Sequence, residues 1–408
     1  MVQTVPAASR PGARSASPAL MLGLATAGFA INFWAWALLS PLGPRFKDDL
    51  DLTSFQQALF VAVPVLVGSL GRIPVGALTD RFGGRVMFPL VSFATVVPVL
   101  FVGLAGYRSL ATLLVGGFFL GVAGTAFAVG IPFVNAWFPP EHRGAALGVF
   151  GAGMGGTAIS ALTTVRLVDR GSVATPFLIT AVVLVGYGVL ALLLLRDAPD
   201  RVVPVEPVLR RVGAVLRLGL TWQASALYAL AFGGYVAFSV YLPTYLRTGY
   251  GLTPADASNR MAGFVVLAVL MRPLGGWLSD RIPVTTVLTG VMAVVAGCAA
   301  VQATTPPLMP VGTLAFLVMA VALGAGSGAV FALVAQRAPA GTVGSVTGVV
   351  GASGGLGGFV PPLLLGALHG WTGSYGWGLG LLAVVAAAAV AFTHLVVRTG
   401  DSSARISV

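Results

Sequence analysis

Twelve long apolar stretches, separated by short segments rich in Gly, Pro or charge, divide this sequence. A helix that crosses a membrane needs roughly 20 mainly apolar residues, and each stretch is long enough. With 57% hydrophobic and 9% charged residues, the chain has too little polar surface for a soluble protein of its size. The pattern predicts an all-α membrane protein whose transmembrane helices lie at roughly 19–43, 55–79, 86–106, 110–136, 144–168, 174–196, 219–247, 257–280, 283–303, 310–335, 344–368 and 374–398.

A polar connector that contains prolines separates the first six stretches from the last six. The first apolar stretch is too long for the core of a signal peptide, so it is expected to be retained as a helix. The predicted domains are a disordered cytoplasmic tail (1–18), a six-helix bundle (19–196), a cytoplasmic connector (197–218), a second six-helix bundle (219–398) and a cytoplasmic tail (399–408).

An internal repeat relates the two bundles. Residues 71–81, GRIPVGALTDR, align with residues 271–281, MRPLGGWLSDR, at an offset of 200 residues. The same offset aligns two glycine-rich tracts, GAALGVFGAGMGG from residue 144 and GSVTGVVGASGGLGG from residue 344. Two matches at one offset indicate a duplication. The expected result is two pseudo-symmetric halves, related by an axis along the membrane normal, that enclose a site near the bilayer midplane.

The formal net charge of +11 would suggest nucleic acid in a soluble protein, but basic residues beside membrane helices normally set topology. With the amino terminus inside, 14 of the 23 basic residues are cytoplasmic and 7 are outside. Both termini are therefore predicted to be cytoplasmic. A composition of one Lys beside 22 Arg, with abundant Gly and Ala, suggests a GC-rich bacterial genome and thus the bacterial cytoplasmic (inner) membrane.

The two remaining basic residues, Arg72 and Arg272, lie within apolar stretches. Arg72 precedes Asp80 by eight residues, about 12 Å of helix, which places it near the middle of a hydrocarbon core about 30 Å thick. Arg272 occupies the matching depth in the second half. All twelve acidic residues fall at predicted helix ends, loops or tails, so no carboxylate is expected to neutralise the two cations.

Two unpaired guanidinium groups in a low-dielectric cavity repel each other unless an anion lies between them. Guanidinium is a planar, bidentate donor that matches the oxygens of a flat oxyanion, which favours nitrate, nitrite or a carboxylate. The alternative is that the two side chains snorkel or are capped by backbone carbonyls.

Two further groups of residues are candidates for conformational change. The glycines of the two tracts are expected to line the anion path and permit flexing, although close helix packing explains them equally well. Charged residues at the cytoplasmic ends of two helices are expected to latch the outward-open state, although they also serve as topology determinants. The glycines are Gly151, Gly153, Gly155, Gly351, Gly354 and Gly355; the charged residues are Asp80, Arg81, Arg85, Asp280 and Arg281.

Residues 71–85, GRIPVGALTDRFGGR, resemble the second-helix and loop signature of the major facilitator superfamily. Together with Arg272, the segment GVAGTAFAVGIPFVNAWFPPEHRGAALG from residue 121 and the glycine tracts, they resemble the nitrate/nitrite porter family over nearly the whole chain. The resemblance implies that Arg72 and Arg272 clamp the anion. It also implies that Phe127 and Phe331 stack on the anion and that Tyr235 helps to coordinate it.

Ordinary packing is the alternative for each of these aromatic residues, although the Tyr235 hydroxyl is a donor that an anion can use. One departure from the family concerns the first glycine-rich tract, which usually contains an asparagine that contacts the substrate. This chain has Met154 and Gly155 there. The preference between nitrate and nitrite is therefore left open.

The leading hypothesis is a secondary transporter of nitrate or nitrite that works by alternating access. Nitrate/nitrite exchange is the simpler scheme, because no acid or histidine is expected at midplane to carry a proton; proton-coupled uptake stays possible. The alternatives are a carrier for organic carboxylates or drugs, and an anion channel or transport-derived nitrate sensor. An enzyme is not expected, because no nucleophile–base or metal constellation is discernible. Cys298, the single cysteine, has no Cys or His neighbours at metal-ligand spacing, so no metal site is expected. No cofactor is expected. The expected partners are the anion and the lipid bilayer, without nucleic acid, and the monomer is the expected functional unit.

Overall fold

A computed structural model describes residues 17–199, 201, 208–339 and 342–397 of the chain. Twelve of its helices are long and apolar enough to cross a membrane, which confirms the predicted number. They are α1 (Pro18–Asp49), α2 (Ser54–Phe82), α3 (Gly84–Leu104), α4 (Leu110–Trp137), α5 (Ala146–Arg170), α6 (Ala174–Leu194), α7 (Gly219–Tyr250), α8 (Pro254–Ser279), α9 (Val284–Ala303), α10 (Leu308–Arg337), α11 (Ser345–Thr372) and α12 (Gly376–Val397).

The outer surface of the bundle is apolar. Val97 and Val182, for example, are 70% and 72% exposed. A soluble protein rarely exposes large contiguous apolar patches, whereas lipid is their natural solvent. The twelve apolar helices and this surface identify a multi-pass membrane protein.

Helix boundaries differ from the predicted ones mainly where charged residues begin. Helix α1 continues from the predicted end at residue 43 to Asp49, and its last turns carry an ion pair between Arg45 and Asp49. Hydropathy marks where a helix leaves the hydrocarbon layer, not where its backbone stops. The predicted connector includes a short helix, Val208–Val215. The predicted tails lie outside the described residues, except for residues 17 and 18.

The repeat extends to the helix starts. The Thr53 side chain accepts a hydrogen bond from the Gln56 backbone N–H, and the Gln56 side-chain oxygen accepts one from the Thr53 backbone N–H, which forms a capping box at the start of α2. Thr253 caps α8 in the same way by accepting from the Asp256 backbone N–H at 3.2 Å. Because the two threonines are also 200 residues apart, α2 and α8 begin at equivalent positions. Arg72 and Arg272 are consequently carried to equivalent depths.

Small residues let helices within each half approach closely. Gly68 of α2 faces Gly124 of α4, where an added Cβ would come within 3.1 Å of the Gly68 Cα. In the second half, a Cβ on Gly324 of α10 would overlap the backbone of Ala268 in α8. These pairs occupy equivalent positions in the repeat, and contacts between small residues are the usual means by which membrane helices associate.

The two halves meet through α2 against α11 and α5 against α8. At the first of these contacts, a Cβ on Gly355 would overlap the Ser69 side chain, and one on Gly366 would lie 2.6 Å from the Ala58 Cβ. Helix α11 also packs on α7, where Gly357 lies against the backbone of Ala229. Helix α11 is thus held tightly on two sides.

The contact between α7 and α11 predicts a stability difference between two glycine substitutions. Gly357→Ala places a Cβ against backbone, which cannot move as a side chain can, so we expect a loss of about 1–3 kcal/mol and a lower Tm in detergent. Gly297→Ala is the matched control, because the Cβ at that exposed helical position meets no atom within 4 Å and alanine favours the helix. Equal Tm values for the two variants would contradict the close α7–α11 contact.

Candidate functional site

Arg72 and Arg272 both lie between the halves, and each reaches the glycine-rich tract of the opposite half. Arg72 Nη1 donates to the Gly351 carbonyl oxygen at 2.9 Å. Arg272 Nη1 donates to the thioether sulfur of Met154. Residue 154 is equivalent to residue 354 in the repeat, three positions from Gly351. The two arginines therefore make nearly symmetric contacts that cross the interface.

The hydrogen-bond partners described for the two guanidinium groups are all neutral: a carbonyl oxygen, a sulfur and the Tyr228 hydroxyl. Arg72 is only 7% exposed and is the single charged side chain among the buried residues that the structure describes. Its Nε–H has no hydrogen-bond partner. The Gly351 carbonyl oxygen accepts from one N–H group of Arg72, as expected if backbone carbonyls cap the arginines. A neutral carbonyl does not neutralise the positive charge of Arg72. The site is therefore strongly attractive to an anion.

Aromatic rings surround both cations. The Phe232 ring centroid lies 5.7 Å from the Arg72 guanidinium carbon and 5.4 Å from that of Arg272. Phe127 lies 4.9 Å from Arg72, and Phe331 packs on Tyr228 at 4.7 Å between centroids. The ring faces attract the guanidinium groups and fix their positions.

Helix α7 supplies two site residues that sequence reasoning missed. Arg272 Nη2 donates to the Tyr228 hydroxyl at 3.2 Å, and the Tyr228 and Phe232 rings are stacked at 4.9 Å. The Tyr235 hydroxyl, in contrast, lies 3.4 Å from Thr157, and its role in anion coordination stays a prediction. The spacing of residues 228, 232 and 235 places all three on one face of a helix. Periodicity indicates that face but not which of the three residues is level with Arg272.

The six predicted tract glycines fall into two groups. Gly151 and Gly155 face open space, and Gly351 makes ordinary contact with the Phe127 ring. The other three pack so closely that an added Cβ would overlap a neighbour: Gly153 against Phe29, Gly354 against Tyr228 and Gly355 against Ser69. The first tract is also interrupted by a 3-10 segment, Ala152–Gly155.

The predicted latch residues lie at the end of the bundle where the connector runs. Arg81, Arg85, Asp280 and Arg281 are exposed, and Asp80 is partly buried. Two of these ends contact the connector: Arg201 donates to the Asp80 carbonyl at 3.1 Å, and the Arg85 N–H donates to Asp197 at 3.2 Å. Arg281 lies over Trp277. The latch function stays a prediction.

At the end of the bundle opposite the connector, the two halves form an ion pair and hydrogen bonds with each other. Asp48 and Arg247 form an ion pair between α1 and α7. Gln57 donates to the Thr244 hydroxyl at 3.0 Å, and the Ser40 hydroxyl donates to the Val240 carbonyl at 2.6 Å. These contacts close the arginine site from that end.

The family model of the Major Facilitator Superfamily matches residues 25–362. A Mycobacterium tuberculosis protein named probable nitrate/nitrite transporter NarK2 is 50% identical over 374 residues, which is 91% of this chain and 94% of the relative. The chain belongs to the nitrate/nitrite porter family of the major facilitator superfamily. The resemblance of its motifs to that family is thereby confirmed.

Other relatives of this porter cover similar lengths. The nitrite extrusion protein of Bacillus subtilis is 35% identical, covering 90% of this chain and 92% of the relative. A probable nitrate/nitrite antiporter, NarK1 of Thermus thermophilus, is 32% identical, covering 92% and 91%. A solved bacterial homologue of the lysosomal transporter Spinster superposes with a TM-score of 0.75 at 18% identity, covering 95% of this chain and 98% of that one. At that identity, the superposition shows the shared fold.

The closed end of this porter predicts a disulfide between the halves. A Cβ on Gly43 would lie 3.3 Å from the Thr244 hydroxyl oxygen, so the side chains of Gly43→Cys and Thr244→Cys are close enough for a disulfide to be expected. In a Cys298→Ala background with a protease site in the connector, mild oxidation should keep the cleaved halves joined on a non-reducing gel. Gly43→Cys alone is the control. Separation of the double variant into two bands would show that this end is open.

Proposed function

We propose that this porter moves nitrate and nitrite across the bacterial cytoplasmic membrane by alternating access, with exchange of one anion for the other as its main mode. The observation that carries the proposal is the pair of arginines, one from each half, whose described hydrogen-bond partners are all neutral. Two cations that face each other across a moving interface need a mobile counterion, and the transported anion is that counterion.

The donors around the arginines suit a small planar oxyanion. The unpartnered Arg72 Nε–H, the two Nη groups of Arg272 and the Tyr228 hydroxyl can all donate to oxygen. Phe127 and Phe331, together with Phe232, present flat apolar surfaces that suit the faces of such an ion. Packing of Gly354 against Tyr228 leaves little room there for a bulky organic group, which disfavours the reading as a drug carrier.

Charge repulsion links the anion to the conformational cycle. With an anion between them, Arg72 and Arg272 can approach as the halves rock, whereas without it their repulsion opposes the occluded state. Return of the empty carrier is therefore slow, and a second anion on the other side accelerates it. Exchange is favoured over proton symport because the buried residues that the structure describes include no carboxylate or histidine.

The proposed orientation follows the distribution of basic residues. Both termini and the connector are cytoplasmic, so the end fastened by Asp48 and Arg247 faces outward. The described conformation is then closed to the outside, with the site approached from the cytoplasm. The monomer is the proposed functional unit, with the site built between the two halves of one chain.

Transport by reconstituted protein tests this function. Wild-type protein in liposomes should take up nitrate with saturation, faster when nitrite is inside, and a pH gradient should have little effect. Arg72→Lys and Arg272→Lys keep the charge but lose the forked donor geometry. Each should reduce kcat/KM roughly ten- to hundredfold, the worth of one or two hydrogen bonds to a charged group.

The outcomes separate the alternatives. Uptake that neither saturates nor responds to internal anion would indicate a channel, and an absence of transport with retained nitrate binding would indicate a sensor. Uptake of small carboxylates but not of nitrate or nitrite would overturn the substrate assignment. Acceleration by an inward proton gradient would replace exchange with symport.

A comparison of two tyrosines on α7 tests the site geometry. Tyr228→Phe removes the hydroxyl that contacts Arg272, so we expect KM for nitrite to rise about fivefold or more. Tyr235→Phe removes a hydroxyl of the same helix whose described partner is Thr157, and a smaller increase is expected. The measurement is initial uptake at varied nitrite concentration, and a larger effect at Tyr235 would move the anion toward that residue.

A further inference from the structure

A histidine of the second half meets a lysine of the first half at the end of the bundle opposite the connector. His369 lies in the last turn of α11, and its Nδ1 is 3.3 Å from the hydroxyl oxygen of Ser54 at the start of α2. Lys47, in the last turn of α1, donates to the same hydroxyl at 3.2 Å. One serine hydroxyl thus joins a cationic side chain and a titratable one across the interface between the halves.

The hydrogen bonds through Ser54 suit one protonation state of the histidine. An ammonium group only donates, so the Ser54 oxygen accepts from Lys47, and its own proton can be donated to His369. Nδ1 accepts that proton when the imidazole is neutral, whereas a protonated imidazole carries an N–H at both ring nitrogens and accepts nothing. The described contacts of the Ser54 hydroxyl give its proton no other acceptor. The closed end therefore matches a neutral His369.

The aromatic neighbours of His369 belong to its own half. The Tyr375 ring, at the start of α12, stacks on the imidazole with 4.1 Å between ring centroids. Tyr241 and Tyr245 of α7 pack in turn against Tyr375. If the halves rock as proposed, these rings move with α11, so their interaction with the imidazole is the same in either state. The contact that changes is the one to Ser54 and Lys47.

The carboxylates at this end do not neutralise the pair. Asp51, in the loop after α1, is exposed. Two others form ion pairs elsewhere: Asp48 with Arg247 of α7, and Asp49 with Arg45. None of the ion pairs within the described ranges includes His369 or Lys47. A proton on the imidazole therefore places a second positive charge opposite Lys47, with one hydroxyl between them, and the two charges repel.

We propose that protonation of His369 from the outside weakens the closure of this end, so that external acid shifts the porter toward its outward-open state. The proton stays on the imidazole and is not carried across with the anion. More carriers then face outward, and the apparent affinity for an external anion rises with the fraction of carriers able to bind it. The inference rests on the proposed transport and orientation.

The side on which the pH is changed separates this device from proton symport. Exchange of labelled external nitrate for internal nitrate is measured in right-side-out membrane vesicles. An inward proton gradient is made either by an acid exterior with a neutral interior, or by an alkaline interior with a neutral exterior. We expect a change of the exterior from about pH 7.5 to about pH 5.5 to lower KM for external nitrate roughly three- to tenfold. The alkaline interior should leave KM unchanged, whereas a symporter would respond to both gradients.

Three variants assign the response to the contact between the halves. His369→Asn keeps a polar side chain beside Ser54 but cannot take a charge, so it should abolish the response of KM to external pH. Lys47→Met removes the opposing charge at similar length and should reduce the response. His142→Asn is the matched control, because His142 is an exposed histidine at the other end of the bundle, and it should respond as the wild type does.

Distances between the halves test the inference without any transport. Spin labels are attached in a Cys298→Ala background at Arg108→Cys and Thr304→Cys, two exposed positions at this end, one in each half. Acidification should raise the ratio of long to short distances roughly three- to tenfold. The same change of pH should leave the ratio unchanged when His369→Asn is added.

The inference would be overturned by wild-type distances that do not respond to acid, by a response retained in His369→Asn, or by equal effects of the two proton gradients on KM. If His369→Asn does not fold, an undiminished response in Lys47→Met overturns it in the same way. A protein whose halves separate in acid, but which transports neither nitrate nor nitrite, would support the response to acid and contradict the proposed function alone.

Discussion

Two positive charges, for which the described residues supply no carboxylate hydrogen-bond partner, govern the centre of this protein. Arg72 lies between the halves with neutral hydrogen-bond partners, and Arg272 lies across the interface from it. Each charge is costly in a low-dielectric interior, and proximity adds repulsion to that cost. Cation–π contacts with Phe127 and Phe232 offset part of it. In the proposed function, an anion that enters and leaves supplies the remainder, so that the same electrostatics serves binding and the conformational cycle.

Close helix packing makes that arrangement possible. Glycines such as Gly355 and Gly357 bring α11 against α2 and α7 at backbone distance, and a rigid scaffold of this kind keeps the arginine side chains at fixed depth. Gly151 and Gly155, which face open space, lie in a segment that contains a 3-10 turn. The two tracts are related by duplication, yet the first is irregular where the second is a continuous helix. The two tracts thus keep the glycines that pack closely against neighbouring helices, but their backbones differ beside the arginines.

The asymmetry has a chemical counterpart in the opposing contacts. A carbonyl oxygen faces one arginine and a sulfur faces the other. For the anion proposed to bind here, a symmetric site would offer the same contacts from both halves, whereas the described contacts differ between the two.

The sequence by itself determined the twelve helices, the duplication and the equivalent positions of the two arginines in α2 and α8. Hydropathy over some 20 residues and the repeat can both be read directly from the order of the residues. Hydropathy predicts the helices correctly because a helix that spans lipid must have a minimum length and must satisfy all its backbone hydrogen bonds internally. The family resemblance, and not hydropathy, named Phe127, whose ring centroid lies 4.9 Å from the Arg72 guanidinium carbon; its stacking on an anion stays a prediction. Helix ends were less exact, since charge marks the membrane boundary and not the end of the backbone helix.

Only the tertiary structure decided which groups contact the arginines. Gly351 is separated from Arg72 by 279 residues and Met154 from Arg272 by 118, so their pairing depends on how α5 and α11 are rotated and how far each helix slides against its neighbours. The same variables put Tyr228 level with Arg272 and left Tyr235 beside Thr157. A helix period specifies a face, but a shift of one or two turns along the axis changes the partner. That shift is set by packing across the interface, which no single segment of the chain encodes.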